Sequence, residues 1–182
     1  PGYYGVELID YGVKAEMTSA CRSGIFRFTY PASDKAFILV DLNHTLWQSC
    51  PWSNLRQLND STIVGYKLVK GWGPERHIYF AATFSRKLEH FYILQDGKPV
   101  IYNTKRFRSH KEAWGEKLMA CFTFSTHTGE EVYVKTAISG VSTEGALANI
   151  NELDGLTFES VKSRAEELWE KELGTVSYTH LT

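Results

Sequence analysis

The sequence predicts an all-β fold, an antiparallel β-sandwich followed by one or two C-terminal helices. Three observations carry that prediction. Apolar residues recur at every second position through the first three quarters of the chain, the mark of strands with one buried face. Short turn signals punctuate those runs. Helical spacing replaces the alternation only in the last quarter.

The strand-like runs come in order. Tyr4, Val6 and Leu8 alternate with Gly5, Glu7 and Ile9. Phe26, Phe28 and Tyr30 fall on one side of the next run, with Ile25, Arg27 and Thr29 on the other. Residues 36–42, 62–68, 77–84, 91–94, 118–124 and 132–138 repeat the pattern. Between them stand Tyr30-Pro31-Ala32-Ser33-Asp34, Leu58-Asn59-Asp60-Ser61, Gln95-Asp96-Gly97-Lys98 and Thr126-His127-Thr128-Gly129. Asp96-Gly97 and Thr128-Gly129 read as hairpin tips, because glycine supplies the left-handed backbone a tight reversal needs. Many short strands with frequent turns argue against alternating βαβ units.

Residues 142–153 carry one short helix with Ala146, Leu147 and Ile150 on a face. Thr157 is the expected N-cap of a longer one whose stripe is Phe158, Val161, Ala165, Leu168, Trp169 and Leu173, with Gly174 as its stop. Such a stripe has to lie against the sheet or another domain. The division expected is a sandwich domain over 1–153, a connecting helix over 154–174 and a tail over 175–182 that fits neither pattern and reads as non-native, adaptor-derived sequence.

The chain has 182 residues, enough for one core, and is 43% hydrophobic and 23% charged, an ordinary soluble composition. A formal net charge of -1 gives no footprint for nucleic acid or an anionic membrane, and no apolar stretch approaches a membrane span. Aromatics at 14% suit both strands and sugar-handling surfaces. Cys21, Cys50 and Cys121 are too few and too scattered for a disulfide framework, and read as small buried or half-buried side chains.

The search for chemistry returns little. His44, His77, His90, His110, His127 and His180 have no metal-site spacing and no Cys-x-x-Cys beside them, so no metal ligand is assigned. Gly140-Val141-Ser142-Thr143-Glu144 nearly matches a nucleophile elbow, but Glu144 replaces the second glycine and Ser142 reads as a helix cap. Most acidic residues fall at turns or on the polar face of the last helix. Asp41, inside the apolar run 37–42, is the exception, with a hydrogen-bonded strand end as its plainer reading. Trp72, between Gly71 and Gly73 in a loop, fits sugar stacking, a domain interface or ordinary packing. Trp47 and Trp52 carry the same argument more weakly. The sequons Asn43-His44-Thr45 and Asn59-Asp60-Ser61 matter only in a eukaryotic secretory host.

Several local runs together resemble one family. They are Pro1-Gly2-Tyr3-Tyr4-Gly5-Val6-Glu7-Leu8, Gly12-Val13-Lys14-Ala15-Glu16-Met17-Thr18-Ser19-Ala20, then Arg22, Gly24 and Arg27, then Ile63-Val64-Gly65-Tyr66, Gly71-Trp72 and Tyr79-Phe80-Ala81-Ala82-Thr83-Phe84-Ser85. Val134-Lys135-Thr136-Ala137-Ile138-Ser139 and Val141-Ser142-Thr143-Glu144-Gly145-Ala146 close the series. Their order resembles the N-terminal domain of glycoside hydrolase family 92, the α-mannosidases, over residues 1–174.

The resemblance implies a sandwich of the supersandwich type, joined through a helical segment to an (α/α)6 catalytic lobe outside this chain. It implies an inverting exo-α-mannosidase, with both carboxylates and a calcium ion (Ca2+) in that missing lobe. Upstream motifs of the sandwich lobe are missing as well. No catalytic residue and no cofactor are therefore assigned to this chain. Trp72, Asp41 and Arg22 remain as substrate-binding or inter-domain candidates, although Cys21 and Phe26 stand where the family has polar residues. The expected partners are α-mannoside glycans and the catalytic lobe, and the expected location is secreted or periplasmic. The rival reading is a non-catalytic carbohydrate-binding or scaffolding sandwich, which fold alone does not separate from the first.

Overall fold

The computed structural model describes residues 1–88, 90–100 and 111–174. His110, His180 and the 175–182 tail lie outside them. Twelve strands, two α-helices and a 3-10 turn are found among the described residues. The strands are β1 (Tyr3–Leu8), β2 (Val13–Ser19), β3 (Ser23–Tyr30), β4 (Ser33–Asp41), β5 (Ser49–Asn59) and β6 (Thr62–Lys70). They continue with β7 (Arg76–Phe84), β8 (His90–Gln95), β9 (Lys98–Pro99), β10 (Glu112–Gly115), β11 (Leu118–Thr126) and β12 (Glu130–Ser139). The helices are α1 (Thr143–Ile150) and α2 (Phe158–Leu173), with the 3-10 turn Asn151–Leu153 between them.

An eight-stranded sheet in the order β1-β2-β3-β12-β7-β6-β5-β10 faces a four-stranded sheet in the order β4-β11-β8-β9. The described pairings are antiparallel. The main core lies between the sheets, around Leu55, Ile63, Leu118, Phe122 and Val132. The outer face of the large sheet is covered by the helices. Helix α1 lays Ala146 and Ile150 on Val64, Ala81 and Ala137, and α2 lays Phe158 and Val161 on Ile25 and Leu153. The fold is thus three layers, helix on sheet on sheet.

Helix boundaries follow the capping chemistry. Ser142 Oγ accepts the Gly145 N–H at 3.0 Å, so the near-elbow serine caps α1. Thr157 and Ser160 exchange hydrogen bonds of 3.2 and 2.9 Å in a capping box at the start of α2. Only the first half of the α2 stripe is buried. Phe158, Val161 and Ala165 are covered, whereas Leu168, Trp169 and Leu173 are about half exposed.

Several sequence expectations need correction. Asp96-Gly97 is a two-residue hairpin tip between β8 and β9, with φ of 51° and 75°. Thr128-Gly129 is not a hairpin tip. It carries the chain from β11 in the small sheet to β12 in the large one. Strands β2, β5, β9 and β10 are additional to the alternating runs. Strand β5 hides its period because Pro51 and two register shifts, at Ser49/Trp52 and Gln57/Asn59, interrupt it. Cys50 and Cys121 are half-buried as expected, but Cys21 is exposed on the bend between β2 and β3.

An ion network fastens α2 to the sheet. Glu16, only 4% exposed, receives a forked pair of hydrogen bonds from Arg27, at 2.9 Å from Nε and 3.0 Å from Nη2. The Tyr3 hydroxyl donates to the same carboxylate at 2.7 Å, and Lys14 Nζ lies 3.1 Å away. Arg27 then reaches across to Glu159 of α2 at 2.8 Å, and its guanidinium stands 4.2 Å from the centroid of the Phe158 ring. Arg27 above all, aided by the Tyr3 hydroxyl and against the cost of burial, lowers the Glu16 pKa from 4.5 to about 2.

Removing Arg27 strands a buried carboxylate, so Arg27→Met should destabilise the chain by about 3 kcal/mol, read as a lower urea midpoint. An unchanged midpoint would show that the network holds nothing together. Glu16 also makes stability depend on pH. A depressed carboxyl contributes fully above its unfolded value of 4.5, and that contribution disappears as pH falls toward about 2. Glu16→Gln should therefore be less stable than the parent chain at pH 6, by about 2 kcal/mol after allowance for nearby solvent. The two should converge near pH 2, and a gap independent of pH would remove the ionic term.

Candidate functional site

Strand order places several loops on one rim of the large sheet. Ser139 of β12 pairs with Tyr79 near the start of β7, Ser49 of β5 pairs with Lys70 at the end of β6, and Ser19 of β2 pairs with Gly24 of β3. The loops joining β2 to β3, β6 to β7, β12 to α1 and β4 to β5 consequently open at the same end. Arg22, Trp72, Ser142 and Trp47 ride on them.

Trp72 is fully solvent-exposed, and so is Trp47. Their loops are neighbours. A Cβ on Gly71 would meet Gln48 Cγ at 2.8 Å, and Lys67 Nζ donates to the His44 carbonyl at 2.8 Å. Trp47 is held at φ 62°, a left-handed conformation that a bulky residue seldom takes. Trp52, 45% exposed, lies beyond Cys50 on β5 opposite Leu68. The rim therefore presents two bare indole rings from adjacent loops, a form suited to stacking on a flat apolar face.

Asp41 ends β4 and accepts the Asn43 N–H at 2.7 Å, closing the turn that starts the Trp47 loop. Its carboxylate is exposed and held locally. Arg22 sits on the bend between β2 and β3. Its backbone N–H donates to Glu152 at 3.0 Å, as does the Ser23 hydroxyl at 3.0 Å, and its side chain is exposed. The β2–β3 and β6–β7 loops are three strand spacings apart, which is about 14 Å. The structure thus brings the Trp72 loop beside the Trp47 loop and leaves Arg22 well along the same rim.

Acid–base chemistry finds little here. Among the described residues, the two carboxylates with displaced pKa values, Glu16 and Glu144, both move down, the wrong direction for a proton donor at neutral pH. Arg27 is the main cause at Glu16. At Glu144 the causes are its own backbone amide and the Ser142 and Thr143 hydroxyls. Among the described residues, no three His, Cys, Asp or Glu side chains converge as a metal site would require. Nor is any described helix long and apolar enough to cross a membrane.

Sequence reasoning missed the Glu16–Arg27–Glu159 network. The available signal was Lys14-Ala15-Glu16-Met17 in alternation, which puts Glu16 opposite Arg27 once β2 and β3 are paired.

The described residues form a three-layer sandwich with two exposed indole rings on neighbouring loops of one rim. The N-terminal domain model of glycosyl hydrolase family 92 matches residues 1–139, and the chain belongs to that family. It is similar to α-mannosidase BT3965 of that family from Bacteroides thetaiotaomicron, at 69% identity and TM-score 0.94, over 100% of this chain and 24% of that one. The same enzyme in complex with mannoimidazole gives 70% identity and TM-score 0.93, over 98% and 24%. The inverting mannosidase BT2199 from B. thetaiotaomicron VPI-5482 shares the fold at 19% identity and TM-score 0.82, over 100% and 23%. The chain therefore spans about a quarter of the length of these solved relatives. Comparison with curated proteins gives no match.

Proposed function

We propose that this chain is the supporting sandwich lobe of a calcium-dependent, inverting exo-α-mannosidase, secreted or periplasmic, that acts on α-mannoside glycans. The observation that carries this reading is 69% identity along the whole chain to an α-mannosidase of which it covers only 24%.

Inverting hydrolysis requires one carboxylic acid to protonate the leaving oxygen and a second carboxylate to activate water on the opposite face of the sugar. The two stand about 6.5–9.5 Å apart. Such an acid needs a raised pKa, whereas Glu16 is held at about 2 by Arg27. Because the chain corresponds to only 24% of the similar α-mannosidase, this reading assigns the acid, the base and the seat for calcium to polypeptide outside it. Among the described residues, no three His, Cys, Asp or Glu side chains converge as a cation site would require. What this chain supplies is a wall. The rim tryptophans offer indole faces that stack on the C–H face of a pyranose, and the sheets hold their loops in place.

The full-length polypeptide should release β-mannose first from an aryl α-mannoside, followed by NMR, and should lose that activity on calcium chelation. The 182-residue chain under the same conditions should show no turnover. Hydrolysis by the short chain would overturn the assignment of the acids, and α-mannose as first product would overturn inversion. In the full-length polypeptide, Trp72→Ala should raise KM several-fold with kcat little changed, as loss of uniform substrate binding does. An unchanged KM would remove Trp72 from the sugar site.

A further inference from the structure

The helices leave one corner of the outer face of the large sheet to the side chains alone. Helix α1 rests mainly on β12 and β7. Beneath it the sheet carries small aliphatic residues, Val64, Ala81 and Ala137. Two residues further along β6 and β7, on the same face, stand Tyr66 and Tyr79. They continue a row that runs through Asn54 of β5 to Trp114 of β10, each residue opposite the next in register. That row crosses three strand spacings, about 14 Å. The next row, toward the rim, is Trp52, Leu68 and His77.

Side-chain chemistry changes along this face. Strand β7 points Ile78 and Phe80 into the apolar cleft between the sheets and sends His77 and Tyr79 outward. Trp114 is 54% exposed and Trp52 45%. His77 is exposed as well, and the two tyrosines are half-buried. The Tyr66 ring stands 5.5 Å from His77 and 5.6 Å from Tyr79, centroid to centroid. Every ring here ends in a polar atom, an indole N–H, a phenol hydroxyl or an imidazole nitrogen. Beside them Asn54 Nδ2 donates to Glu112 Oε1 at 3.2 Å, and Arg56 is opposite Glu112. Where polypeptide covers this face the sequence uses valine and alanine; past the helix it uses rings with polar tips and planar polar groups. A further protein layer would bury those tips at a cost unless each found a partner. A pyranose suits them, because it has an apolar C–H face for the rings and hydroxyls for their edges.

We propose that this corner is a glycan platform, on which a neutral α-mannoside chain stacks while its terminal mannose reaches the Trp72 rim. The identity of the sugar rests on the mannosidase reading above, whereas the chemistry of the corner stands without it. The two surfaces are continuous. Strands β5, β6 and β7 carry the row of Trp52, Leu68 and His77 into the loops that bear Trp47 and Trp72. Arg56 and Glu112 bring opposite charges to facing positions, which favours an uncharged ligand over an ionic one.

Hydroxyl-radical footprinting of the full-length polypeptide tests this, with calcium chelated so that turnover does not enter. Trp52 and Trp114 should oxidise readily in the free protein and several-fold more slowly with α-mannan present. Slow oxidation without mannan would overturn the proposal by showing that the parent polypeptide covers the corner. Equal rates with and without mannan would overturn it by leaving the corner without sugar. With calcium restored, Trp114→Ala should raise KM for α-mannan several-fold and leave KM for an aryl α-mannoside unchanged, as loss of a contact remote from the reacting sugar does. Equal losses on both substrates would overturn the platform by placing Trp114 at the reacting sugar. Absence of any mannoside turnover would sink the function proposed above, and the footprint would still decide the platform.

Discussion

The large sheet has to be covered on both faces, and the rest of the structure answers that constraint. Strand β3 shows it within eight residues. Phe26 and Phe28 point toward the small sheet, while Ile25 and Arg27 point toward α2. A two-layer sandwich would leave the second set in water. Here α1 and α2 form a third layer, and Ala81 and Val64, under α1, are as buried as the residues between the sheets.

The same constraint explains why the strongest ionic network sits where it does. Helix α2 buries few apolar residues, because the second half of its stripe, Leu168, Trp169 and Leu173, is about half exposed. Phe158 and Val161 anchor its first turns, and Arg27 extends the contact with charge, bridging Glu16 below and Glu159 above. A buried carboxylate is stable only when its lone pairs are filled, and Glu16 has Arg27, Tyr3 and Lys14 around it. Tyr3 belongs to β1 and its ring meets Phe158 edge-on at 6.4 Å, so β1, β3 and α2 are joined at one point.

What was legible in the sequence follows from range. Alternation, caps and two-residue turns are local, and they gave most strands, both helices and the Asp96-Gly97 reversal. Partnering is not local. Thr128-Gly129 announces that the chain turns, but only the sheet order says that it turns into the other sheet. Glu16 lies on what would be the wet face of a two-layer sandwich, so no local rule marks it as buried. Trp72 could be singled out from its flanking glycines, and its neighbour Trp47 only weakly. The nearness of their loops depends on β5 pairing with β6, and β5 is the strand whose period Pro51 and two bulges conceal.

The pattern of shifts then separates what this lobe holds from what it performs. A group that does acid–base work is tuned toward neutrality, and tuning a carboxyl upward takes burial without a cation. Glu16 is buried against Arg27 and moves the opposite way, which serves cohesion. The two fully exposed indole rings, Trp47 and Trp72, ride on loops of one rim, and the strands beneath Trp72, β6 and β7, are hydrogen-bonded on both sides. Precise placement needs such a rigid base, since rings on loops position a flat ligand only as well as the strands beneath them are fixed. In this chain that base is the pairing of β5, β6 and β7, which fixes the roots of the Trp47 and Trp72 loops.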